Sequence, residues 1–453
     1  MTPERQSRRL CRDIQILNPL GPSICEVYNL ACFRIGERKS KGRYEDQGAR
    51  LVFNWVPLMS RDVTVVIGGG AAGICAAINA ARRGGSVVIC EQNSQLGRKI
   101  LTTGNGRCNL LNDDLSEMHF NQDARPLVRS VLETWSKEDI LYFFEGIGLK
   151  TYSQSGRIFP VTNQAASVLK VLELELQRLA VRVEFGFKCS GIQGSGDSLA
   201  VVSADGRRVG GRKIVLTGGG KSYPALGSDG NTHDLAAGLG HTIVEPVPSG
   251  VPLVVKSHLC HLLQGQRIQV KAKSVIGVQE STEVFGELLF TKYGLSGTCV
   301  LDLSGPISIA INRDRRSDVR LAIDLVPFMS EPELEAEIAR RKGTGIRLED
   351  MLAGILPNKF GPALKSEFES LDSKETAAKL KNMRFDVAAT RGWNEAEFTA
   401  GGVNSQEVQK GSLESKMRKG VYLAGEVLDV DGGRGGFNLG WAWASGWVAG
   451  MGR

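Results

Sequence analysis

The first clear pattern of apolar positions lies in residues 63–91. The run Val63–Ile67 predicts a buried β-strand, and the small apolar residues that continue to about Arg83 predict a helix. A second β-rich run, Val87–Cys90, ends at the acidic residue Glu91. Strand, helix and strand in this order predict an α/β domain that is built on a parallel sheet.

The turn between the first strand and the helix carries the glycine spacing G-x-G-x-x-G. Gly68 permits a tight turn, Gly70 lets the backbone approach a pyrophosphate, and Gly73 lets the helix pack closely on the strand. Glu91 is expected to accept hydrogen bonds from adenosine ribose hydroxyls, which favours FAD or NAD over NADP. The alternative is a purely structural glycine turn. The predicted dinucleotide contacts of this segment are Gly68, Gly70, Ala71, Ala72, Gly73 and Glu91.

The middle of the chain favours FAD over NAD. Three β-rich runs are typical of a β-meander with a hairpin turn at Asp205–Gly206. The third run returns to a buried strand, Ile214–Leu216. The buried strand stops at Thr217, Gly218 and Gly219, which we expect at the cofactor. A meander with this ending resembles the FAD domain of two-dinucleotide-fold flavoproteins. The three runs are residues 181–192, 198–209 and 213–220.

The C-terminal part of the sequence completes the predicted nucleotide domain. A strand ends at Gly425–Glu426, and the Ala/Trp/Gly pattern after Asn438 predicts a helix that returns to the sheet. Asn438 is expected to begin this helix, because a helix N-terminus at the flavin would stabilise the negative charge of the reduced ring. The alternative is a buried glycine-rich helix without a ligand. The predicted contacts here are Gly425, Glu426, Gly436, Asn438 and Leu439.

Six separated motifs occur in order from about Arg61 onward. They are IGGGAAG, GRKILTTGNGRCN, TGGGKSYPALGSDG, GELLFTKYGLSG, TAGGV and GEVLDVDGGRGGFNLGWAWASG. With these motifs the chain resembles the YhiN/BaiN-like family of FAD-dependent oxidoreductases, also called the aminoacetone oxidase family. The resemblance implies an α/β two-dinucleotide-fold flavoprotein, in which a Rossmann-like FAD domain with a parallel sheet and a β-meander is interrupted by an insert domain.

The loop of residues 97–109 is basic and rich in glycine, and the resemblance places it at the FAD. Its glycines let the loop fold against the cofactor, while its basic side chains supply positive charge beside the pyrophosphate or the reduced ring. Cys108 has no second cysteine close by for the disulfide of a flavin disulfide reductase, so packing is its favoured role. The expected contacts are Gly97, Arg98, Lys99, Gly104, Gly106, Arg107, Cys108 and Asn109.

The resemblance also divides the chain into domains. The FAD domain comprises residues 61–244 and 393–453, and the insert comprises residues 245–392. The first part of the insert is β-rich and barrel-like, and the second part is expected to be helical because its apolar residues follow a helical period. The insert is expected to cover the flavin and to shape the substrate pocket. The predicted helical segments are 331–342, 347–357 and 375–385.

Catalytic and metal-binding residues are harder to assign. The chain departs from the family's motifs at Asn105, Lys292, Arg434 and Gly440, where Gly, His, Thr and Gln are usual. A proton-transfer role of that histidine therefore does not carry over, and no catalytic residue is predicted. The acid–base candidates are Asp429, Asp431 and Lys292, since each lies in a motif expected near the flavin. His258, Cys260 and His261 lack further ligands in any visible pattern, so no metal site is predicted.

Charge and composition narrow the partners. The net charge is +7, but residues 1–58 hold ten basic and six acidic residues, so the remainder is nearly neutral. A neutral body argues against nucleic acid, and a small-molecule substrate is expected. No apolar stretch is long enough for a membrane span and no secretory signal is visible, which favours a cytoplasmic protein. Residues 1–60 are expected to be disordered, or a start assigned too far upstream, with function beginning near Met59.

Three functions remain open from the sequence. The preferred one is an FAD-dependent oxidoreductase that moves two electrons between the flavin and a small organic substrate, such as an unsaturated ketone, with NAD(P)H as donor. No second G-x-G-x-x-G motif indicates a nicotinamide domain, although NAD(P)H can dock transiently on a flavin. The second function is an FAD-dependent amine oxidase that passes electrons to oxygen. The third is a flavin-bound redox sensor or binding protein without turnover.

Overall fold

The computed structural model describes residues 63–452. The predicted extension of residues 1–60, with its expected functional start at Met59, lies outside the described residues. The strands are β1 (Val63–Ile67), β2 (Ser86–Cys90), β3 (Leu111–Asn112), β4 (Thr151–Gln154), β5 (Arg157–Pro160), β6 (Arg182–Glu184), β7 (Cys189–Ser195), β8 (Ser198–Ser203), β9 (Arg208–Gly211), β10 (Lys213–Leu216), β11 (Ile243–Ser249), β12 (Leu253–Val255), β13 (Arg267–Ile276), β14 (Gln279–Glu280), β15 (Val284–Thr291), β16 (Gly294–Ser296), β17 (Val319–Asp324), β18 (Met383–Thr390), β19 (Phe398–Val403) and β20 (Val421–Leu423).

The helices cover both halves of the described chain. They are α1 (Ala71–Arg82), α2 (Arg98–Thr102), α3 (Arg125–Thr134), α4 (Lys137–Gly146), α5 (Ala165–Arg178), α6 (Asn231–Gly238), α7 (His258–Leu262), α8 (Thr298–Ser308), α9 (Glu331–Gly343), α10 (Phe360–Phe368), α11 (Ser373–Lys381) and α12 (Phe437–Met451). Within residues 63–452, none of these helices has the length and apolar character that a membrane span requires.

A parallel sheet positions the predicted nucleotide loops. Within residues 63–452 it has five strands in the order β20-β10-β1-β2-β6. Ile67 at the end of β1 lies opposite Cys90 of β2 on one side and Leu216 of β10 on the other. The carboxyl ends of these strands therefore lie at one edge, where α/β sheets bind their ligands. Val65 and Val66 are fully buried, as expected for a sheet that is covered on both faces. The predicted Rossmann-like domain is confirmed.

A separate antiparallel sheet forms the β-meander. It consists, in the described chain, of β7, β8 and β9, with Gly206 at a φ of 88° in the predicted hairpin turn. The prediction that residues 181–192 form one strand of this meander is wrong. Arg182–Glu184 instead pairs with β2 at the edge of the parallel sheet, and the meander begins only at Cys189. Gly186, with a φ of 63°, turns the chain between the two sheets.

The insert contains a closed β-barrel. Among the described residues, its six strands follow the order β13-β15-β16-β12-β18-β17. The barrel closes where β17 pairs antiparallel with β13, with Lys271 opposite Asp324. Closure removes the free strand edges that an open sheet would expose. The barrel-like insert predicted from the family is therefore confirmed.

The helical part of the insert differs from its prediction. Residues 331–342 are helical, and Ser330 caps α9 through a capping box with Glu333. Residues 347–357 are not an α-helix: only a 3₁₀ turn forms there, because Gly354 takes a φ of 76° and a proline follows at position 357. Residues 375–385 are helical only to Lys381, after which the chain enters β18. The barrel is thus completed after the helices, and the predicted domain boundaries stay predictions.

Two apolar cores correspond to the two halves of the described chain, one under the parallel sheet and one inside the barrel. The paired strands β11 and β19 lead the chain into the barrel region and out of it. In the first core, α12 lies against α1 at very short range. A Cβ at Gly446 would overlap the carbonyl group of Ala72, and one at Gly450 would overlap that of Ala76. The glycines of the last helix therefore permit its close packing on the first.

Candidate functional site

A cavity of about 440 Å³ follows the carboxyl edge of the parallel sheet and reaches the barrel. Its volume falls in the range of roughly 300–1,000 Å³ that is usual for ligand pockets. The structure brings most of the sequence-predicted contacts together along it. They are Gly68, Gly70, Ala71, Ala72, Glu91, Gly97, Arg98, Lys99, Gly104, Arg107, Asn109, Thr217, Gly218, Gly219, Gly425, Glu426, Gly436, Asn438 and Leu439.

The turn after β1 has the geometry of an anion cradle. Gly68 takes a φ of 98°, and Gly70 precedes α1 without a side-chain cap, so the first N–H groups of the helix are left for a ligand. No atom lies within 4 Å of the place where a Cβ of Gly70 would stand. At Gly73, by contrast, a Cβ would overlap the Gly68 carbonyl oxygen. Gly70 therefore keeps the cavity open, and Gly73 keeps the helix close to its strand.

Glu91 is fixed at the end of β2. Its side chain is buried, and its Oε2 accepts a hydrogen bond of 2.7 Å from the backbone N–H of Gly69. Its Oε1 accepts hydrogen bonds from the backbone and side-chain nitrogens of Asn93 at 2.8 and 2.7 Å. A carboxylate offers about four acceptor positions, so capacity remains for hydroxyl groups of a ligand.

Several residues of the loop 97–109 have a left-handed backbone conformation. Gly97, Gly104 and Asn105 take φ values of 63°, 57° and 54°. Asparagine tolerates this conformation better than most residues, so Asn105 fits where the family usually has glycine. The guanidinium carbon of Arg107 lies 4.2 Å from the centroid of the Phe159 ring, and Arg107 lines the cavity. The loop therefore forms one wall of the cavity.

Lys99 forms an ion pair with Glu426. Its Nζ lies 2.5 Å from Oε2 of Glu426, and the two side chains are only 24% and 21% exposed. The Ser222 hydroxyl donates to Oε1 of Glu426 at 2.8 Å, and the Thr399 N–H donates to the same oxygen at 2.7 Å. Burial alone would raise the pKa of Glu426, but the charge of Lys99 and these hydrogen bonds hold it below its usual range. The ion pair thus connects α2 with the segment that follows β20, and both line the cavity.

Asn109 supplies an independent indication of a ligand. The residue lines the cavity, and its side-chain Oδ1 is buried and accepts no hydrogen bond within the described chain. A buried polar atom without a partner costs free energy, so such atoms usually meet a group from a ligand or water. The open space at Gly70, the uncapped helix and this amide oxygen together fit an extended dinucleotide.

The last helix begins one residue earlier than predicted. Gly436, at a φ of 100°, precedes the first helical residue, Phe437. Asn438 therefore lies inside the first turn, and its amide exchanges hydrogen bonds of 3.0 and 2.9 Å with the backbone of Gly432. Trp441 donates to the Gly425 carbonyl oxygen at 3.1 Å. The polar and aromatic residues of α12 thus fix both loops that border its N-terminus.

Three predicted contacts do not line the cavity. They are Gly73, Gly106 and Cys108. The side chain of Cys108 is fully buried in the first core, and burial raises the pKa of its thiol to about 12. A thiol of this kind stays protonated and unreactive at neutral pH. The structure places Cys108 in packing, the role that its isolation from other cysteines favoured.

The three acid–base candidates also lie away from the cavity lining. Lys292 is exposed, and Asp429 and Asp431 belong to the segment that precedes α12 but are not among the residues that line the cavity. Burial and the charge of Asp429 raise the pKa of Asp431 to about 7. These positions give neither aspartate nor the lysine access to a ligand in the cavity.

Sequence reasoning missed the wall of the cavity on the barrel side. This wall consists of Tyr223, Thr298, Glu397, Phe398 and Arg434. Arg434 donates to Glu397 at 2.7 Å and to Asp302 of α8 at 2.9 Å. Tyr223 and Arg434 lie inside motifs that the sequence analysis quoted, which was the available signal. The residues that they contact are far away in the sequence, so no local pattern predicted that these side chains form one wall of the cavity.

Comparison with known proteins identifies the family. Residues 62–452 match the family model described as HI0933-like protein Rossmann domain. The chain belongs to the HI0933-like family. A 3-dehydro-bile acid delta(4,6)-reductase from Clostridium scindens is 38% identical over 405 residues, which covers 85% of this chain and 97% of that protein. A ribosomal RNA dihydrouridine synthase from Escherichia coli is 27% identical over 408 residues, covering 86% and 97%.

Solved structures show a more distant likeness to this HI0933-like protein. A 3-ketosteroid delta1-dehydrogenase from Sterolibacterium denitrificans has a TM-score of 0.47 at 14% identity, covering 86% of this chain and 99% of that chain. A 3-ketosteroid-delta4-(5alpha)-dehydrogenase from Rhodococcus jostii has a TM-score of 0.45 at 15% identity, covering 89% and 99%. The family, rather than these structures, establishes that the protein is an FAD-dependent oxidoreductase.

Proposed function

We propose that this HI0933-like protein is an FAD-dependent reductase with NAD(P)H as its electron donor. Its substrate would be a small organic molecule in which a carbon–carbon double bond is conjugated with a carbonyl group. The observation that carries the proposal is the continuity of the cavity, which is lined both by the glycine turn after β1 and by Thr298 of α8. A dinucleotide site that opens toward a second domain leaves room for a substrate beside the cofactor.

The residues of the cavity fit FAD. The N–H groups at the start of α1 would hold the pyrophosphate, and Glu91 would accept hydrogen bonds from the adenosine ribose. The unpaired Oδ1 of Asn109 would accept a hydrogen bond from the cofactor, and the first turn of α12 would lie near developing negative charge. When bound, FAD supplies two-electron chemistry; the protein binds, orients and tunes it.

The relatives support the choice of substrate class. Dihydrouridine is uridine with one ring double bond reduced, and the name delta(4,6)-reductase likewise describes reduction of carbon–carbon double bonds. Both reactions need a hydride equivalent and a proton at a double bond that a carbonyl group activates. We infer a small molecule rather than RNA as the substrate, because the chain outside residues 1–58 carries 46 basic and 43 acidic residues and is nearly neutral. A cytoplasmic location belongs to the same proposal.

The direction of electron flow is tested by anaerobic mixing of the purified protein with NADH, NADPH and a panel of amines that includes aminoacetone. We expect a reduced nicotinamide to bleach the flavin absorbance and the amines to leave it unchanged. Addition of 4-androstene-3,17-dione or 2-cyclohexenone should then restore the absorbance, because an acceptor takes up the two electrons.

The other functions predict different results in the same experiment. Bleaching by amines and recovery only with oxygen would indicate an amine oxidase. A flavin that no donor reduces would indicate a sensor or binding protein. Free FAD mixed with the same reagents is the control for reactions that need no protein.

A further inference from the structure

Tyr223 has an unusual backbone conformation in the wall of the cavity. Its φ and ψ are 54° and 60°, in the left-handed region that bulky residues rarely occupy. A proline follows at position 224, and residues before proline normally adopt extended conformations. The N–H of Tyr223 donates to the Trp393 carbonyl oxygen at 3.0 Å, and its own carbonyl accepts from Leu226 at 2.8 Å. Strained residues that their surroundings hold in this way are concentrated at functional sites.

The side chain of Tyr223 lies on the barrel side of the cavity. The residue lines the cavity, and its hydroxyl makes no hydrogen bond to any group within residues 63–452. The charged groups that face it are Glu395, Glu397 and Arg434. Burial and the charge of Glu397 raise the pKa of this phenol, while Arg434 opposes the shift. The phenol therefore carries its proton at neutral pH, and within the described residues no acceptor holds that proton.

The carboxyl groups that line the cavity are all occupied by other partners. Glu397 pairs with Arg434, Glu426 with Lys99, and Asp229 with Lys188. Glu91 accepts hydrogen bonds from the backbone of the glycine turn and from Asn93. Carboxyl groups held by such partners are poor candidates for the acid of a reaction.

Two cysteine thiols also line the cavity, on the nucleotide side. Cys90 is the last residue of β2 and directly precedes Glu91, and Cys189 is the first residue of the meander. Since Glu91 is the predicted adenosine contact, these thiols lie away from the wall that the barrel contributes. Tyr223 is thus the acidic group with a free proton on the barrel side of the described cavity.

We propose that Tyr223 is the catalytic acid of the reduction; the inference rests on the proposed function. Reduction of a conjugated double bond adds a hydride equivalent to the β-carbon and a proton to the α-carbon. FAD held in this cavity, once reduced by NAD(P)H, would supply the hydride equivalent. The O–H bond of Tyr223 breaks as the new C–H bond forms, and the phenolate then takes a proton from water. Electrons and protons balance without a further reactant.

The test compares the wild-type protein with Tyr223→Phe, which removes only the hydroxyl group. Both proteins are reduced anaerobically and mixed rapidly with 4-androstene-3,17-dione or 2-cyclohexenone. We expect the variant to keep its FAD content and its rate of reduction by NAD(P)H, while reoxidation by the enone slows by about 10²–10⁴-fold. The affinity of the oxidised protein for the enone, measured by calorimetry, should change little, because the proton is transferred only in the reaction.

The pH dependence of reoxidation gives a second measurement. In the wild-type protein the rate should fall at high pH, as the phenol loses its proton above its ordinary pKa of about 10. Tyr223→Phe should lack this fall. A Tyr223→His variant places another proton donor at the same site, and it should recover part of the rate below the pKa of the imidazole.

Tyr142→Phe is the matched control, because Tyr142 lies on α4 and is 79% exposed. It should behave as wild type. If the wild-type protein is not reoxidised by either enone, both proposals are wrong. If the wild-type protein is reoxidised and Tyr223→Phe is equally fast, or if the variant loses FAD or its melting temperature falls, only the role of Tyr223 as catalytic acid is wrong.

Discussion

The carboxyl group of Asp431 should make the stability of the protein depend on pH. Asp431 is half-buried near Asp429, and desolvation, followed by the charge of that neighbour, raises its pKa to about 7. Arg313 opposes this shift but does not cancel it. In the unfolded chain an aspartate ionises near pH 3.9, about three units lower. The folded state therefore keeps a proton on Asp431 that the unfolded state has already released.

This difference gives a prediction for Asp431→Asn. Because the folded pKa is raised, the contribution of Asp431 is most favourable below about pH 4 and is lost as the pH rises to about 7. The variant should therefore be more stable than wild type at pH 8, by up to about 4 kcal/mol, and similar to it at pH 4. Urea unfolding at the two pH values measures the effect. The control is Asp386→Asn, because the side chain of Asp386 is 84% exposed. It should not change the difference in unfolding free energy between pH 4 and pH 8. An effect equal to that of Asp431→Asn would contradict the raised pKa of Asp431.

The roles of individual residues were predictable only where the chemistry is local. Gly68, Gly70 and Glu91 were found because a dinucleotide turn fixes their spacing within one strand–turn–helix unit. The partner of Lys99 was not found, because Glu426 lies far along the chain and the pairing depends on the folded structure. Tyr223 was not predicted as a functional residue, because its place in the cavity wall also depends on the folded structure.

At the scale of secondary-structure elements, the junction between β1 and α1 separates packing from binding. A Cβ at Gly73 would overlap the Gly68 carbonyl oxygen and approach the Thr217 hydroxyl oxygen to 2.7 Å. A Cβ at Gly70 would meet no atom within 4 Å and would enter the cavity. The two glycines are three residues apart and constrain different properties of the protein.

Alanine substitutions at these glycines should show the difference. Gly73→Ala should push α1 away from β1 and lower the stability by about 1–3 kcal/mol, despite the better helix propensity of alanine. Gly70→Ala should leave the melting temperature of the apoprotein nearly unchanged and weaken FAD binding. Thermal unfolding followed by circular dichroism, and titration with FAD, measure the two effects. The reverse pattern would show that the junction has been misassigned.

Element types were predictable where apolar periodicity and sequence neighbours agreed. The first strands and α9 were found because their patterns are clear within about a dozen residues. Residues 347–357 carry a helical period, yet Gly354 and Pro357 prevent the helix. Closure of the barrel pairs Lys271 with Asp324 across intervening strands and helices, and no local pattern specifies that register.

At the scale of the whole molecule, Arg434 links elements that belong to different cores. Its side chain is only 14% exposed and pairs with Glu397 and with Asp302 of α8 in the barrel region. Losing this guanidinium leaves two carboxylates without their partner at the cavity wall. The cost is smaller than for a fully buried pair, because the carboxylates are 40% and 29% exposed.

We therefore expect Arg434→Thr to lower the free energy of unfolding by about 1–3 kcal/mol. Calorimetric unfolding should become less cooperative, because the two cores lose a connection. Arg320→Thr removes an ion pair with Asp386 in which the side chains are 50% and 84% exposed, and it should cost less than about 1 kcal/mol. Equal effects of the two substitutions would show that Arg434 is an ordinary surface charge.

The parallel sheet is assembled from segments that ribosomes produce at different times. β10 and its neighbour β20 are separated by roughly two hundred residues, which include the whole barrel. At about 5–20 residues per second, translation of that stretch takes roughly 10–40 s. For this interval the nascent nucleotide half lacks one edge strand and the helix α12, so its glycine turn has no closing wall. We therefore expect FAD to bind late in biosynthesis, after α12 has been synthesised.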